Sequence, residues 1–131
     1  MKRWWEYPLY ILVVGSAKLF GSLPHEHGIT LGNALGRLLF RLHGRYRIIA
    51  LENLRNAYPD KQERECRQIA TRVFENLGKI LYEICWSTTM SNRELGKQVR
   101  IEGMRHIKTA YAKNRGVLVL TAHFGNWELL S

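Results

Sequence analysis

His123 and Glu128 stand five positions apart in the string TAHFGNWELL, directly after a short apolar run at residues 117–120. An imidazole with a carboxylate at that spacing can work as an oriented general base. The carboxylate accepts a hydrogen bond from one ring nitrogen and fixes the tautomer. The other nitrogen is then free to take a hydroxyl proton. Gly125 and Asn126 fall between the two, where a turn is expected. Taken bare, the spacing has a simpler explanation: a turn histidine, and a glutamate favoured by the dipole of a helix start.

The elements before this pair are what would position it. Residues 99–102 alternate as a short strand, and residues 104–113 carry Met104, Ile107, Ala110 and Tyr111 at helical spacing. Asn114, Arg115 and Gly116 supply a C-cap, and residues 117–120 form a run suited to a strand buried on both faces. A right-handed crossover makes the two strands parallel. Sites in open parallel sheets form beyond the carboxyl ends of strands, which is where His123 falls. The expected fold class is therefore α/β, a helix-rich N-terminal part leading into a first βαβ unit.

Upstream the periodicity is helical. Residues 21–28 read as a turn holding Pro24, His25 and His27, two solvated histidines with no third metal ligand nearby. Thr30 reads as the N-cap of a helix with Leu31, Leu35, Leu38, Leu39 and Leu42 on one face. Gly32 and Gly36, four apart, permit close approach of another helix or of lipid. Residues 48–58 form a short helix ending before Pro59. Asp60 and Glu63 pair as a capping box for the longest helix, residues 61–86. Its apolar stripe runs Cys66, Ile69, Ala70, Val73, Phe74, Leu77, Ile80, Leu81 and Ile84, the pattern of a helix lying on a core. Ser91 and Glu94 mark one more capped turn. Cys66 and Cys85 lie on the long helix about 28 Å apart at ~1.5 Å per residue, too far for a disulfide. Two packed thiols in a reducing compartment are expected.

The 131 residues carry a formal net charge of +9, which predicts attraction to an acidic partner: nucleic acid, anionic lipid or an acidic protein. No nucleic-acid motif accompanies the cations, so nucleic acid is set aside. The densest basic stretch holds Arg37, Arg41, His43, Arg45 and Arg47. It is either a solvated face or a patch in which Arg41, Arg45 and Arg47 meet anionic headgroups, at about 1 kcal/mol per cation. Residues 1–20 combine Lys2, Arg3, Trp4 and Trp5 with an apolar run and a closing Lys18. Three readings compete: a shallow membrane helix, a full span with Lys18 snorkelling, and a cleaved signal peptide. The anchor ranks first, because the run falls short of the roughly 18 to 20 residues of a clean span. The domain division is a membrane-anchoring segment at residues 1–23 and a second part at 24–131. No paired-histidine metal motif is present, so no metal is expected.

The full string HFGNWE closely resembles the first catalytic block of the bacterial lipid A late acyltransferases, the lauroyl and myristoyl transferases. These belong to the wider glycerolipid acyltransferases, whose motif is His, four residues, then Asp or Glu. The resemblance extends upstream through KNRGVLVLTAHFGNWELL, the long helix with FENLG, ENLRNAYPD with the basic segment before it, and the Trp-rich N-terminus. It implies an enzyme in which His123 is the general base and Glu128 its partner. The implied donor is an acyl thioester on acyl carrier protein, and the acceptor a hydroxyl of a lipid A precursor. Backbone N–H groups at Gly125 and Asn126 are candidates for the oxyanion. The implied place is the cytoplasmic face of the inner membrane, and no cofactor is implied. Members of that family are much longer, so the chain is expected to be a fragment, residues 24–131 being the incomplete N-terminal portion of an acyltransferase domain. The alternative is a non-catalytic basic module that binds anionic lipid or an acidic partner.

Overall fold

A computed structural model describes residues 6–122 and 124–130, the side chains of Glu128 and Leu130 excepted. The chain divides into two units, one through Thr89 and one from Met90. The first unit holds α1 (Glu6–Gly21), α2 (His25–Leu42), α3 (Gly44–Ala57) and α4 (Glu63–Ser87).

Helix α2 begins earlier than its leucine pattern predicts. Pro24 stands at the N-cap with its fixed φ of −53°, and its carbonyl already accepts from the Gly28 N–H at 2.9 Å. His25 and His27 therefore lie in the first turn of a helix and not in a loop. Thr30 is interior, its hydroxyl donating back to the Glu26 carbonyl at 2.8 Å. The long helix starts with a box shifted by two residues from the expected one. The Gln62 N–H donates to the Glu65 carboxylate at 3.0 Å, while Glu63 accepts from Arg55 at 2.7 and 2.9 Å and ties α3 to α4.

Helices α2 and α4 pack along glycines. Gly28, Gly32, Gly36 and Phe40 form the buried stripe of α2, and Cys66, Ala70, Gly78, Tyr82 and Cys85 that of α4. A Cβ on Gly32 would sit 2.6 Å from the Gly78 carbonyl oxygen, and one on Gly36 would run into the Phe74 backbone. Gly28 leaves room for the Tyr82 ring, whose hydroxyl donates to the Leu23 carbonyl at 2.9 Å. The same ring meets Phe20 edge-on at 5.3 Å, so one buried tyrosine holds the α1–α2 turn onto α4. At the other end Phe40, Leu51, Cys66 and Ala70 make a small core, with Phe74 packed edge-on against Phe40 at 5.3 Å.

This seam changes which apolar residues are inside. The sequence pattern buries the α2 leucines and the whole α4 stripe, yet Leu31, Leu35, Leu38, Val73, Leu77 and Leu81 are all exposed. Backbones that meet at glycines leave no space between them for large side chains, so the leucines stand beside the seam. Cys66 and Cys85 are both free and buried, as the helix spacing requires. Burial pushes the Cys85 thiol above its ordinary value, against a smaller lowering by a backbone hydrogen bond.

The second unit holds α5 (Asn92–Gln98), α6 (Met104–Tyr111) and a 3-10 turn (Trp127–Leu130). The Ser91–Glu94 box opens α5 as expected, with the Ser91 N–H donating to the Glu94 carboxylate at 2.9 Å. The α/β expectation is overturned. Among the described residues there is no strand, and the chain is helical with irregular connections. Val99 has extended dihedrals, φ −111° and ψ 119°, but residues 99–102 and 117–120 find no neighbouring backbone to form a ladder. The run meant to be buried on both faces is solvated, Leu118 and Leu120 being 96% exposed. Apolar side chains such as Val117 and Val119 favour the conformation, but a strand exists only through its partner.

Candidate functional site

Helix α6 leads toward the motif and stops at Tyr111 with Ala112 as its C-cap, two residues before the expected end at Lys113. Asn114 takes φ 54° and Gly116 φ 74°, left-handed residues that reverse the chain after the helix. Residues 117–122 then lead to the motif without regular secondary structure. The Phe124 N–H donates to the Ala122 carbonyl at 2.8 Å, and Gly125 follows at φ 61°. A side chain at Gly125 would be strained by that dihedral alone, which accounts for glycine within HFGNWE. The Leu129 N–H then returns to the Asn126 carbonyl at 3.3 Å, closing the 3-10 turn that contains Glu128 in its backbone.

His123 lies outside the described residues, as does the Glu128 side chain. What is fixed is the frame on either side: an irregular approach, a glycine bend, and a tight turn. Asn126 is half-buried and Phe124 is 88% exposed, so the motif presents its aromatic ring to the surroundings. Among the described residues no group of three or more metal-ligating side chains comes together.

In the first unit the basic stretch is sorted into different tasks. Arg37 reaches across to Glu75 at 2.9 Å and links α2 to α4. Arg47 turns back over the end of α2, donating to the carbonyls of Arg41 at 2.8 Å and Phe40 at 3.3 Å. A guanidinium there satisfies orphan carbonyls and opposes the negative end of the helix dipole. Sequence reasoning missed that role, although a cation just past a helix end is its signal. Arg41 and Arg45 remain exposed on either side of the α2–α3 corner. Trp4 and Trp5 of the N-terminal segment lie outside the described residues, while α1 shows Tyr7, Tyr10, Ile11 and Leu12 more than half exposed. No helix among the described residues is long and apolar enough to cross a membrane.

The stretch carrying both units matches, over residues 2–131, the family described as bacterial lipid A biosynthesis acyltransferase. The chain belongs to this family. It is 32% identical over 124 residues to the lipid A biosynthesis lauroyltransferase of Escherichia coli (strain K12), which covers 95% of this chain and 40% of that protein. It is 29% identical over 126 residues to the lipid A biosynthesis palmitoleoyltransferase of the same organism, covering 94% of this chain and 41% of the relative. A lipid A biosynthesis acyltransferase of Shigella flexneri matches equally, at 29% over 126 residues. The chain thus spans about two fifths of the length of the curated relatives it matches, 40% and 41%. No solved structure matches it significantly. The family match includes HFGNWE, so the motif sits in a matched frame and not in a chance run of residues.

Proposed function

We propose that this chain serves the transfer of a fatty acyl group from a thioester on acyl carrier protein to a hydroxyl of a lipid A precursor. The observation that carries the reading is the family match over residues 2–131, with HFGNWE inside it. His123 takes the proton of the acceptor hydroxyl as its oxygen attacks the thioester carbonyl. Glu128 holds the imidazole and supports the imidazolium that forms. Backbone N–H groups at Gly125 and Asn126 face the oxyanion. The tetrahedral intermediate then collapses, the C–S bond breaks, and the departing thiolate recovers the proton from His123. A thioester is already activated, so the transfer draws on no cofactor.

The place we propose is the cytoplasmic face of the inner membrane. Residues 1–23 supply the anchor, and residues 24–131 belong to the acyltransferase part. Helix α1 has 16 residues, about 24 Å at ~1.5 Å each, against roughly 30 Å of hydrocarbon. That length, with tyrosines exposed at one end, fits a helix lying in the interface. Arg41 and Arg45 would meet lipid phosphates from the corner that Arg47 holds.

The test is a chimera in which residues 1–131 replace the matching region of the Escherichia coli lauroyltransferase. It should transfer acyl groups to a lipid A precursor, and His123→Ala should lower the rate by about two to four orders of magnitude. Undiminished transfer by the His123→Ala chimera would sink the proposal.

A further inference from the structure

The α2–α4 pair has two unlike sides. At about 100° per residue, Leu31, Leu35 and Leu38 lie roughly a quarter turn or more to one side of the glycine stripe of α2. Val73, Leu77 and Ile84 lie about as far to the same rotational side of the α4 stripe. Arg37 and Glu75 lie the opposite way on their helices, and they meet across the seam at 2.9 Å. Since those two share one side of the antiparallel pair, the two apolar rows must share the other. The result is one continuous apolar face across both helices, with Leu35 37% and Leu77 55% exposed. A second ion pair, Lys79 with Glu83 at 3.5 Å, belongs to the polar side.

We infer that this face lies on an anionic lipid bilayer, as a contact separate from α1. Three observations point to lipid. The apolar row of α2 runs to Leu42, 73% exposed, and exposed Arg41 and Arg45 flank it there, so acyl-facing and phosphate-facing groups adjoin. The chain as a whole carries +9, matching an anionic surface. Between Cys66 and Cys85, the stretch that carries the apolar row, the acidic groups of α4 are turned the other way: Glu75 and Glu83 lie on the far side and are paired with cations. A bilayer accepts a broad apolar face with a cationic rim and no acidic groups. The inference goes beyond the proposed chemistry and needs neither His123 nor acyl transfer.

The experiment uses the full chain with Leu35→Cys, Leu77→Cys or Gln68→Cys, each labelled with an environment-sensitive nitrobenzoxadiazole dye. Gln68 is exposed and two turns before Glu75, on the polar side. Native Cys66 and Cys85 are 0% and 8% exposed and stay unlabelled. With phosphatidylglycerol-containing vesicles, dye at positions 35 and 77 should brighten at least twofold and shift to the blue. Dye at position 68 should not change. Vesicle binding with positions 35 and 77 still reporting water would overturn the face while leaving the α1 anchor intact. Absence of any vesicle binding would overturn both. Brightening that follows protein concentration without vesicles would assign the face to a second copy of the chain and overturn the lipid inference.

Discussion

Gly32 of α2 and Gly78 of α4 meet backbone to backbone, the place of a Cβ on Gly32 lying 2.6 Å from the Gly78 carbonyl oxygen. That carbonyl belongs to a helix and cannot swing aside as a side-chain tip could. Gly32→Ala and Gly78→Ala should each destabilise the first unit by about 1–3 kcal/mol, the usual cost of forcing atoms into a packed seam. Gly15 is the control: it lies in α1 with nothing within 4 Å of a Cβ. Gly15→Ala should raise stability by about 0.5–1 kcal/mol through helix propensity. Urea midpoints of the three variants check this; equal shifts for Gly15 and Gly32 would contradict the seam.

The two thiols test the other half of the same packing. Cys66 is fully buried and out of a reagent's reach, and burial raises the Cys85 thiol, so Cys85 offers little thiolate for attack. Iodoacetamide at neutral pH should modify neither within the time that fully labels a denatured sample. Cys85 backs onto Gly21, where a Cβ would collide with the Cys85 carbonyl. Gly21→Ala should therefore open Cys85 to labelling at least tenfold faster, while Cys66 stays protected. Mass spectrometry of the two cysteine peptides separates the outcomes.

Much of the helical part was readable because its signals are local. Pro59 ends α3, Ser91 and Glu94 open α5, and Asn114 with Gly116 turns the chain just past α6; each depends on residues within one turn. The sides of the long helices were less readable. Leu77 and Gly78 are adjacent, and hydropathy names the leucine as the buried one, whereas the close approach of α2 selects the glycine. The period-four run Gly28, Gly32, Gly36 was the available sign, since small residues at that spacing let helix backbones touch. The strands failed for a different reason. Residues 117–120 have strand-forming side chains, but pairing is a property of two segments, and no periodicity within one of them can supply the other. At the motif, Gly125 was legible as a turn residue, while the roles of His123 and Glu128 rest on family resemblance and chemistry.

Glu94 gives a pH prediction whose sign can be worked out. The Ser91 hydroxyl donates to its carboxylate at 2.7 Å, and this bond, followed by the Ser91 backbone N–H, holds Glu94 below the ordinary glutamate range. A depressed folded value means the stabilisation is present above the unfolded value and is lost as pH falls through the folded one. The α5 start should hold at neutral pH and loosen only in acid, below the range of a free glutamate. Carbon-detected NMR titration of Glu94 should show this lowered midpoint, with Ser91→Ala moving it back up. An ordinary midpoint in the unmodified chain would contradict the capping geometry.

Glu128 distinguishes a catalytic dyad from a helix-start carboxylate. Its backbone lies in the 3-10 turn closed by Leu129 N–H on the Asn126 carbonyl, so the side chain has a defined origin one tight turn past Gly125. If it only stabilises that turn, Glu128→Gln and Glu128→Ala should lower melting temperature and acyl transfer in parallel. If it supports an imidazolium on His123, the charge itself matters in the transition state. In the chimera with the Escherichia coli lauroyltransferase, Glu128→Gln should then lower kcat at least tenfold while leaving the melting temperature within about 2 °C, as expected for a near-isosteric change. Glu128→Asp, which keeps the charge and shortens the reach, should recover part of the rate. A Glu128→Gln chimera as fast as the parent would remove Glu128 from the mechanism and leave His123 to act without it.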